Sequence, residues 1–245
     1  MNNKSITLCH LYGELLNLYG DSGNVSVIKM RAEKRGIEFK LKTICYDDEI
    51  DFSGVDIIML GGGTMQALKK VSQKADTLVS ALKEYVERGG VMLALCEGYH
   101  IMGSFYECGE ERIDGLKILD IDVKDAGQRL IGNAAIKATL ENKEVILTGF
   151  ENHICSVDIK GYTPFGKVIY GKGNDGKGEY EGVIYKNLIG THLYGQILSQ
   201  NPEFADYLIK TALDRKYGGD NTLCELDDTM EKRAKEFMIE REMKK

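Results

Sequence analysis

The chain has 245 residues, with 32 Lys and Arg against 38 Asp and Glu, a formal net charge of −6, 43% hydrophobic and 29% charged residues. That acidity argues against a nucleic-acid binder, whose affinity rests on neutralising phosphates. No stretch approaches the roughly 18 consecutive apolar residues of a membrane span, and the opening MNNKSITLCHLYG lacks the basic region and apolar core of a signal peptide, so a cytoplasmic protein with one sizeable core is expected.

In chain order, SITLCHLY reads as a strand and SGNVSVIKMRAEKRG as a helix, with Ser22 or Asn24 near its start and Gly36 after its end. EFKLKTICY is a second strand. VDIIMLGGG is a third, apolar on both faces as a central parallel strand should be. A helix follows whose Ala75, Leu78, Val79, Leu82 and Val86 form one stripe, closed by RGG. VMLAL is a fourth buried strand ending at Cys96, and HIMGSFY then reads as a helix. This alternation predicts an open, mostly parallel sheet with helices on both sides.

The second half is strand-rich: LKILDIDV, RLIGNAAIKAT, EVILTGFENH, TPFGKVIYG and YEGVIYKNLIGTHLYG have little helix between them, which predicts an antiparallel extension of the sheet. NPEFADYLIKTALDRKYG is a helix with Pro202 in its first turn. The tail from Asp227 is a last amphipathic helix, its mixed charges suiting i,i+4 pairs on a solvated face.

Six cysteines, Cys9, Cys45, Cys96, Cys108, Cys155 and Cys224, are scattered without C-x-x-C pairs or zinc-ligand spacing. Disulfides are not expected, and most of these thiols should be small buried hydrophobes. GKGNDGKG, 171–178, resembles a phosphate-binding loop. It has Gly178 where Ser or Thr must hold Mg²⁺, and a strand follows, so it reads as a hairpin turn.

Two motifs fall at the carboxyl edge of the predicted sheet, where open α/β folds bind ligands. Gly61–Gly63 lets backbone amides approach a substrate closely. Cys96 follows a buried strand and precedes EGY, the pattern of a nucleophile thrust out on a tight turn, with an oxyanion site formed by the Glu97 amide and a glycine amide. The positive end of a following helix would favour the thiolate. Cys9 also ends a strand but lacks this turn and reads as structural. Of the four histidines, His100 lies too soon after Cys96 to be its partner, while His153 and His192 both follow strand-like runs and either suits a base.

The triple glycine, the strand-Cys-x-Gly-Tyr turn, GFENH and the late GT-x-x-x-G resemble the class I glutamine amidotransferases, in the branch of the cobyric-acid-synthase domains. HLYGELLNLYGDSGN, RLIGN, NPEFADYLI and LDDTMEKRAKEFMIER resemble, more narrowly, the GatD-type glutaminase subunit of lipid II isoglutaminyl synthase, from about His10 to Arg241. The resemblance implies a flavodoxin-like amidotransferase domain over residues 1–226, with 227–245 an amphipathic helix of the same domain. It places the nucleophile on Cys96, the glutamine-binding arginine on Arg129, and oxyanion amides on Gly62 and Gly63, with Glu97 beside them in the substrate site.

It also implies hydrolysis of L-glutamine through a cysteine thioester without a metal or organic cofactor. Ammonia would pass to a Mur-ligase-like, ATP-dependent partner in a heterodimer that amidates D-glutamate of lipid II. No role carries over to His153.

Two departures from the family pattern matter. The usual Cys-Gly-Gly-Tyr-Gln is CEGYH here, and Glu97 is expected to face a partner or solvent, because an inward carboxylate would raise the thiol pKa. The usual Gly-Thr-Tyr-x-His-Gly is GTHLYG, so Tyr194 stands in the histidine position. On a strand the imidazole of His192 would be displaced by roughly 7 Å on the same face, and His192 is the expected base. The acidic triad member of many class I enzymes has no counterpart, Gln196 standing two residues past Tyr194. The same residues leave three other readings open: a catalytically impaired glutamine-binding scaffold, an amidotransferase serving a cobyrinate-like acceptor, or a cysteine hydrolase acting alone.

Overall fold

The structure is a computed structural model describing residues 4–195 and 197–244. Gln196 lies outside the described residues.

Five parallel strands make the first sheet: β1 (Ser5–Leu11), β2 (Glu38–Ile44), β3 (Ile57–Leu60), β4 (Val91–Leu95) and, from the far end of the chain, β12 (Leu188–Thr191). The helices between the early strands are α1 (Ser22–Glu33), α2 (Met65–Gln73) and α3 (Ala75–Glu87), with α4 (Glu97–His100) a single turn after β4. The remaining strands are β5 (Phe105–Cys108), β6 (Glu111–Asp114), β7 (Asp122–Leu140), β8 (Lys143–Asp158), β9 (Gly166–Tyr170), β10 (Tyr180–Glu181) and β11 (Val183–Tyr185). Three helices close the chain: α5 (Ile197–Gln200), α6 (Pro202–Tyr217) and α7 (Thr229–Met243).

The first sheet runs β11-β12-β4-β3-β1-β2, and β11 is its antiparallel edge. Every residue of β3 and β4 is buried, and side chains alternate between two cores. Ile58, Leu60, Met92 and Ala94 meet Leu78, Leu82 and Tyr85 of α3, together with Tyr106, Val123 and Val157. Ile57, Met59, Leu93 and Leu95 meet Ile28 of α1 and Leu208 and Ile209 of α6, together with Ala134 and Leu147. Period-two burial on the strands thus fixes which helices lie on which side.

The parallel sheet and its helices follow the expected pattern. The antiparallel part differs in detail: only β11 extends the first sheet, and the others form a second sheet, β10-β9-β7-β5-β6, with β8 paired along β7. The 19 residues of β7 and 16 of β8 make a hairpin whose turn places Glu141 and Asn142 at positive φ. GKGNDGKG is the connection between the antiparallel strands β9 and β10, as its lack of a helix implied.

One helix expectation changes. The helical turn after Cys96 is Glu97–His100, so of HIMGSFY only His100 is helical, and Gly103 and Ser104 turn the chain into β5. The C-terminal helix α7 exists but buries no residue, leaving Met230 and Phe237 largely exposed, and polar contacts tie it down. Lys235 pairs with Glu203 and bonds the Ile146 carbonyl, and Asn133 bonds Glu242.

Candidate active site

At the end of β4 the Cys96 backbone takes φ 50° and ψ −115°, a left-handed conformation that costs a non-glycine residue of order 1–3 kcal/mol. It is held there from both sides. The Cys96 amide donates to the Thr191 carbonyl at 2.9 Å, continuing the β4–β12 ladder, and the Cys96 carbonyl accepts from Tyr99 and His100 at 2.9 Å each. The turn can close only over Gly98, whose Cβ, if present, would lie 2.5 Å from the carbonyl oxygens of Leu60 and Gly61. The sequence pattern of buried strand, cysteine and glycine therefore does build the tight strand-to-helix turn, an elbow with Cys96 at its bend, beside the triple-glycine loop.

The thiol is not exposed at this bend. Cys96 is fully buried, beneath Glu97, Tyr19 and Tyr194. Glu97 turns inward, contrary to expectation. Its carboxylate interacts with the Cys96 thiol and with the amides of Glu97 and Gly63, and Oε1 accepts from the Tyr19 hydroxyl at 3.1 Å. Oε2 lies over Gly62, 2.7 Å from where a Cβ would be, and finds no hydrogen-bond partner of full geometry. Glycine at 62 is thus required by the space the carboxylate and the Tyr19 ring occupy. Burial, and secondarily the Glu97 charge, push the Cys96 thiol well above its usual range, and burial raises Glu97 as well. A single helical turn offers too little dipole to offset this.

The glycine amides are not equivalent. Gly62 donates to Asp21 Oδ2 at 3.1 Å, which ties the loop to the start of α1, while the Gly63 and Glu97 amides both face the carboxylate of Glu97. Tyr194, in the position the family gives to histidine, packs on Tyr19 with ring centroids 4.4 Å apart and the rings tilted by 34°, and hydrogen-bonds Asn152. Its amide donates to the Phe150 carbonyl at 3.1 Å, an isolated bridge that links β8 to the segment after β12.

His192 goes elsewhere. Strand β12 ends at Thr191, so the alternation that would set residues 192 and 194 on one face does not extend to them. The His192 ring is buried, stacked on His153 at 3.8 Å, edge-on to Tyr99, with Nε2 2.8 Å from Nε2 of His100. One imidazole of that pair donates and the other accepts. Behind it, buried Glu181 takes the His192 amide at 2.6 Å and the Thr191 hydroxyl at 2.8 Å, and its Oε1 lies 3.6 Å from His192 Nδ1. Burial drives His192 down to about 3 and His153 to about 2, so both rings are neutral at pH 7. After burial, the group acting most strongly on the Cys96 thiol is the Glu97 carboxylate, and no imidazole is among its main neighbours.

Arg129 stands where the register of β7 shifts against β8, between Asp125 and Leu130, an irregularity that carries it out of the ladder. Its guanidinium is exposed and bonds Asn152 Oδ1 at 2.6 Å. Arg129, Asn152, Tyr19, Thr64 and Glu97 line a cleft of about 210 Å³ that ends at the elbow. The structure therefore brings Glu97, Gly63 and Arg129 to one cleft, which His100 and His153 also line, with Cys96 buried beneath Glu97 and Gly62 under its carboxylate, while His192 stacks behind His153 and does not line the cleft. Reasoning from the sequence missed Tyr19, Asp21, Asn152 and Glu181. Tyr19 and Asp21 lie within the motif HLYGELLNLYGDSGN and Asn152 within GFENH, so they were marked as motif members without a role.

Residues 7–202 match the CobB/CobQ-like glutamine amidotransferase domain. The chain is 35% identical over 231 residues to the subunit GatD of lipid II isoglutaminyl synthase (glutamine-hydrolyzing) from Streptococcus pneumoniae strain ATCC BAA-255 / R6, covering 92% of this chain and 87% of that protein. It is 34% identical over 237 residues to the subunit of the same name from Staphylococcus aureus strain N315, covering 96% of each. Among solved structures, the glutaminase domain of Trypanosoma brucei CTPS with bound acivicin superposes with a TM-score of 0.57 at 9% identity, over 89% of this chain and 96% of that one, a likeness of fold. The chain belongs to the CobB/CobQ-like glutamine amidotransferase family, on its GatD branch.

Proposed function

We propose that this protein hydrolyses L-glutamine as the glutaminase subunit of an ATP-dependent ligase, which uses the released ammonia to amidate D-glutamate of lipid II. The observation that carries the reading is the strained Cys96 elbow between the glycine loop and the Arg129 cleft. A residue held in a costly conformation at the carboxyl edge of a parallel sheet is where this fold performs chemistry.

Glutamine enters with its α-carboxylate on the Arg129 guanidinium, a planar fork suited to two parallel bonds. Cys96 Sγ attacks the side-chain amide carbon, and the oxyanion draws on the Gly63 and Glu97 amides once the Glu97 carboxylate has moved off them. Ammonia leaves, and water cleaves the thioester to free glutamate. Ammonia that reached bulk water would be protonated and lost as a nucleophile, which suits a tight heterodimer with a Mur-ligase-like, ATP-dependent subunit.

A second reading, a glutamine-binding scaffold without turnover, draws on Tyr194 in the family's histidine position and on the covered thiol. Glutamate release by the co-purified subunits separates the two. The wild type is expected to turn over, and Cys96→Ala to fall by at least about 1000-fold, as loss of a covalent nucleophile does. Equal release by both would rule out the cysteine mechanism.

A further inference from the structure

The geometry points to Glu97, and not His192, as the group that takes the Cys96 proton and delivers it to the departing ammonia. This assignment rests on the glutaminase reading above.

Glu97 is adjacent to the nucleophile in sequence and in space, with its carboxylate against the thiol. The Tyr19 hydroxyl fixes Oε1 at 3.1 Å. Oε2 is buried over Gly62 without a satisfied hydrogen bond. With the Gly63 and Glu97 amides facing the carboxylate but none bonding Oε2 in full geometry, that oxygen keeps acceptor capacity beside the thiol, where the proposed glutamine carboxamide would lie. An amide NH₂ directed at Oε2 supplies a donor. The imidazole the sequence marks for this work, His192, has Nε2 on His100 and Nδ1 toward Glu181. Tyr194, which fills the family's histidine position, is a phenol raised further by burial and serves poorly as a base near neutrality.

The proton balance closes without another reagent. The Cys96 S–H proton passes to a Glu97 oxygen as the sulfur bonds the amide carbon. Collapse of the tetrahedral adduct breaks the C–N bond, and the Glu97 carboxylic acid returns the proton to the leaving nitrogen, giving ammonia and a carboxylate. In the second half Glu97 takes a proton from the attacking water, the C–S bond breaks, and the proton goes back to sulfur. A carboxyl raised by burial sits nearer neutral pH, where one group works best as base and acid in turn.

The test uses the full chain co-purified with its ligase subunit and reads glutamate release alongside alkylation of Cys96 by iodoacetamide. Glu97→Gln and Glu97→Gly are each expected to lower kcat by about 100-fold or more, the usual scale of a lost acid–base group. Glu97→Gln should still be alkylated at Cys96 at least as fast as the wild type at alkaline pH, because removing the neighbouring charge eases thiol ionisation. Faster turnover in Glu97→Gly, which would make the carboxylate a plug, overturns the assignment. So does unchanged kcat in Glu97→Gln with loss in His192→Gln, or a parallel loss of alkylation and turnover. Undiminished release by Cys96→Ala would instead overturn the glutaminase reading itself.

Discussion

At Cys96 the chain holds a positive φ that glycine would adopt freely, with no other side chain able to supply a thiol there. Cys96→Gly is expected to unfold at higher denaturant or temperature than Cys96→Ala, by about 1 kcal/mol, because both lose the sulfur and only glycine relieves the backbone. Equal stability would mean the elbow is unstrained. The elbow itself was legible in the sequence, since a buried strand running into Cys-x-Gly has few other solutions. The direction of Glu97 was not. A carboxylate next to a candidate nucleophile is expected to turn outward on electrostatic grounds, and the partners that draw it in, Tyr19, 78 residues earlier, and the Gly63 amide, are distant in sequence. The paths of His192 and Tyr194 were misjudged for a similar reason: alternation is a property of strands, and β12 stops at Thr191.

Between elements, α1 and α6 are joined by a buried charge network. Arg31, 3% exposed in its side chain, makes bonds of 2.7 and 2.8 Å to Asp206 of α6, and of 2.6 and 3.0 Å to Asp228 before α7, while Arg35 makes two further bonds to Asp206. Arg31→Ala strands two carboxylates, and since these keep partial exposure and Arg35 still holds Asp206, a loss of about 2–3 kcal/mol in urea unfolding is expected. A loss below about 0.5 kcal/mol would show that solvent replaces the arginine at no cost. The parallel strands were readable because β3 and β4 are continuous apolar runs between helical stripes. The second sheet was not, because a 19-residue strand interrupted by Gly127 and Gly132 reads as two. Helix α7 was placed correctly along the chain, and its exposure agrees with the solvated face its mixed charges imply; Met230, Ala234 and Phe237, which share a face, are exposed as well.

Over the whole molecule, buried acids and buried histidines oppose each other. Burial raises Glu151 and Glu181 from 4.5 to about 7 and Asp21 from 3.8 to about 6, so the native state holds these protons more tightly than the unfolded chain. Their contribution is present at low pH and is lost as pH rises through the folded values. His153 and His192 move the other way, from 6.5 to about 2 and 3, and their contribution is present above 6.5 and lost as pH falls. From about pH 4.5 to 6.5 the two trends offset. Below that window only the histidines and the few paired surface carboxylates act; above it only the raised acids do. Thermal unfolding should therefore show a plateau in Tm at about pH 4.5–6.5, a steep fall on the acid side that His153→Phe softens, and a shallower fall toward pH 7. A Tm that climbs steadily to pH 8 would contradict the burial of these acids.

The proposed glutaminase chemistry rests on one sulfur, and trapping its acyl form tests that most directly. The co-purified subunits would be mixed with isotopically labelled glutamine, quenched in acid during turnover, digested and mapped by mass spectrometry. The account predicts a γ-glutamyl thioester on the peptide carrying Cys96, absent in Cys96→Ala. Label on Cys108 or Cys155, or continued turnover with no acylated cysteine at all, would contradict it.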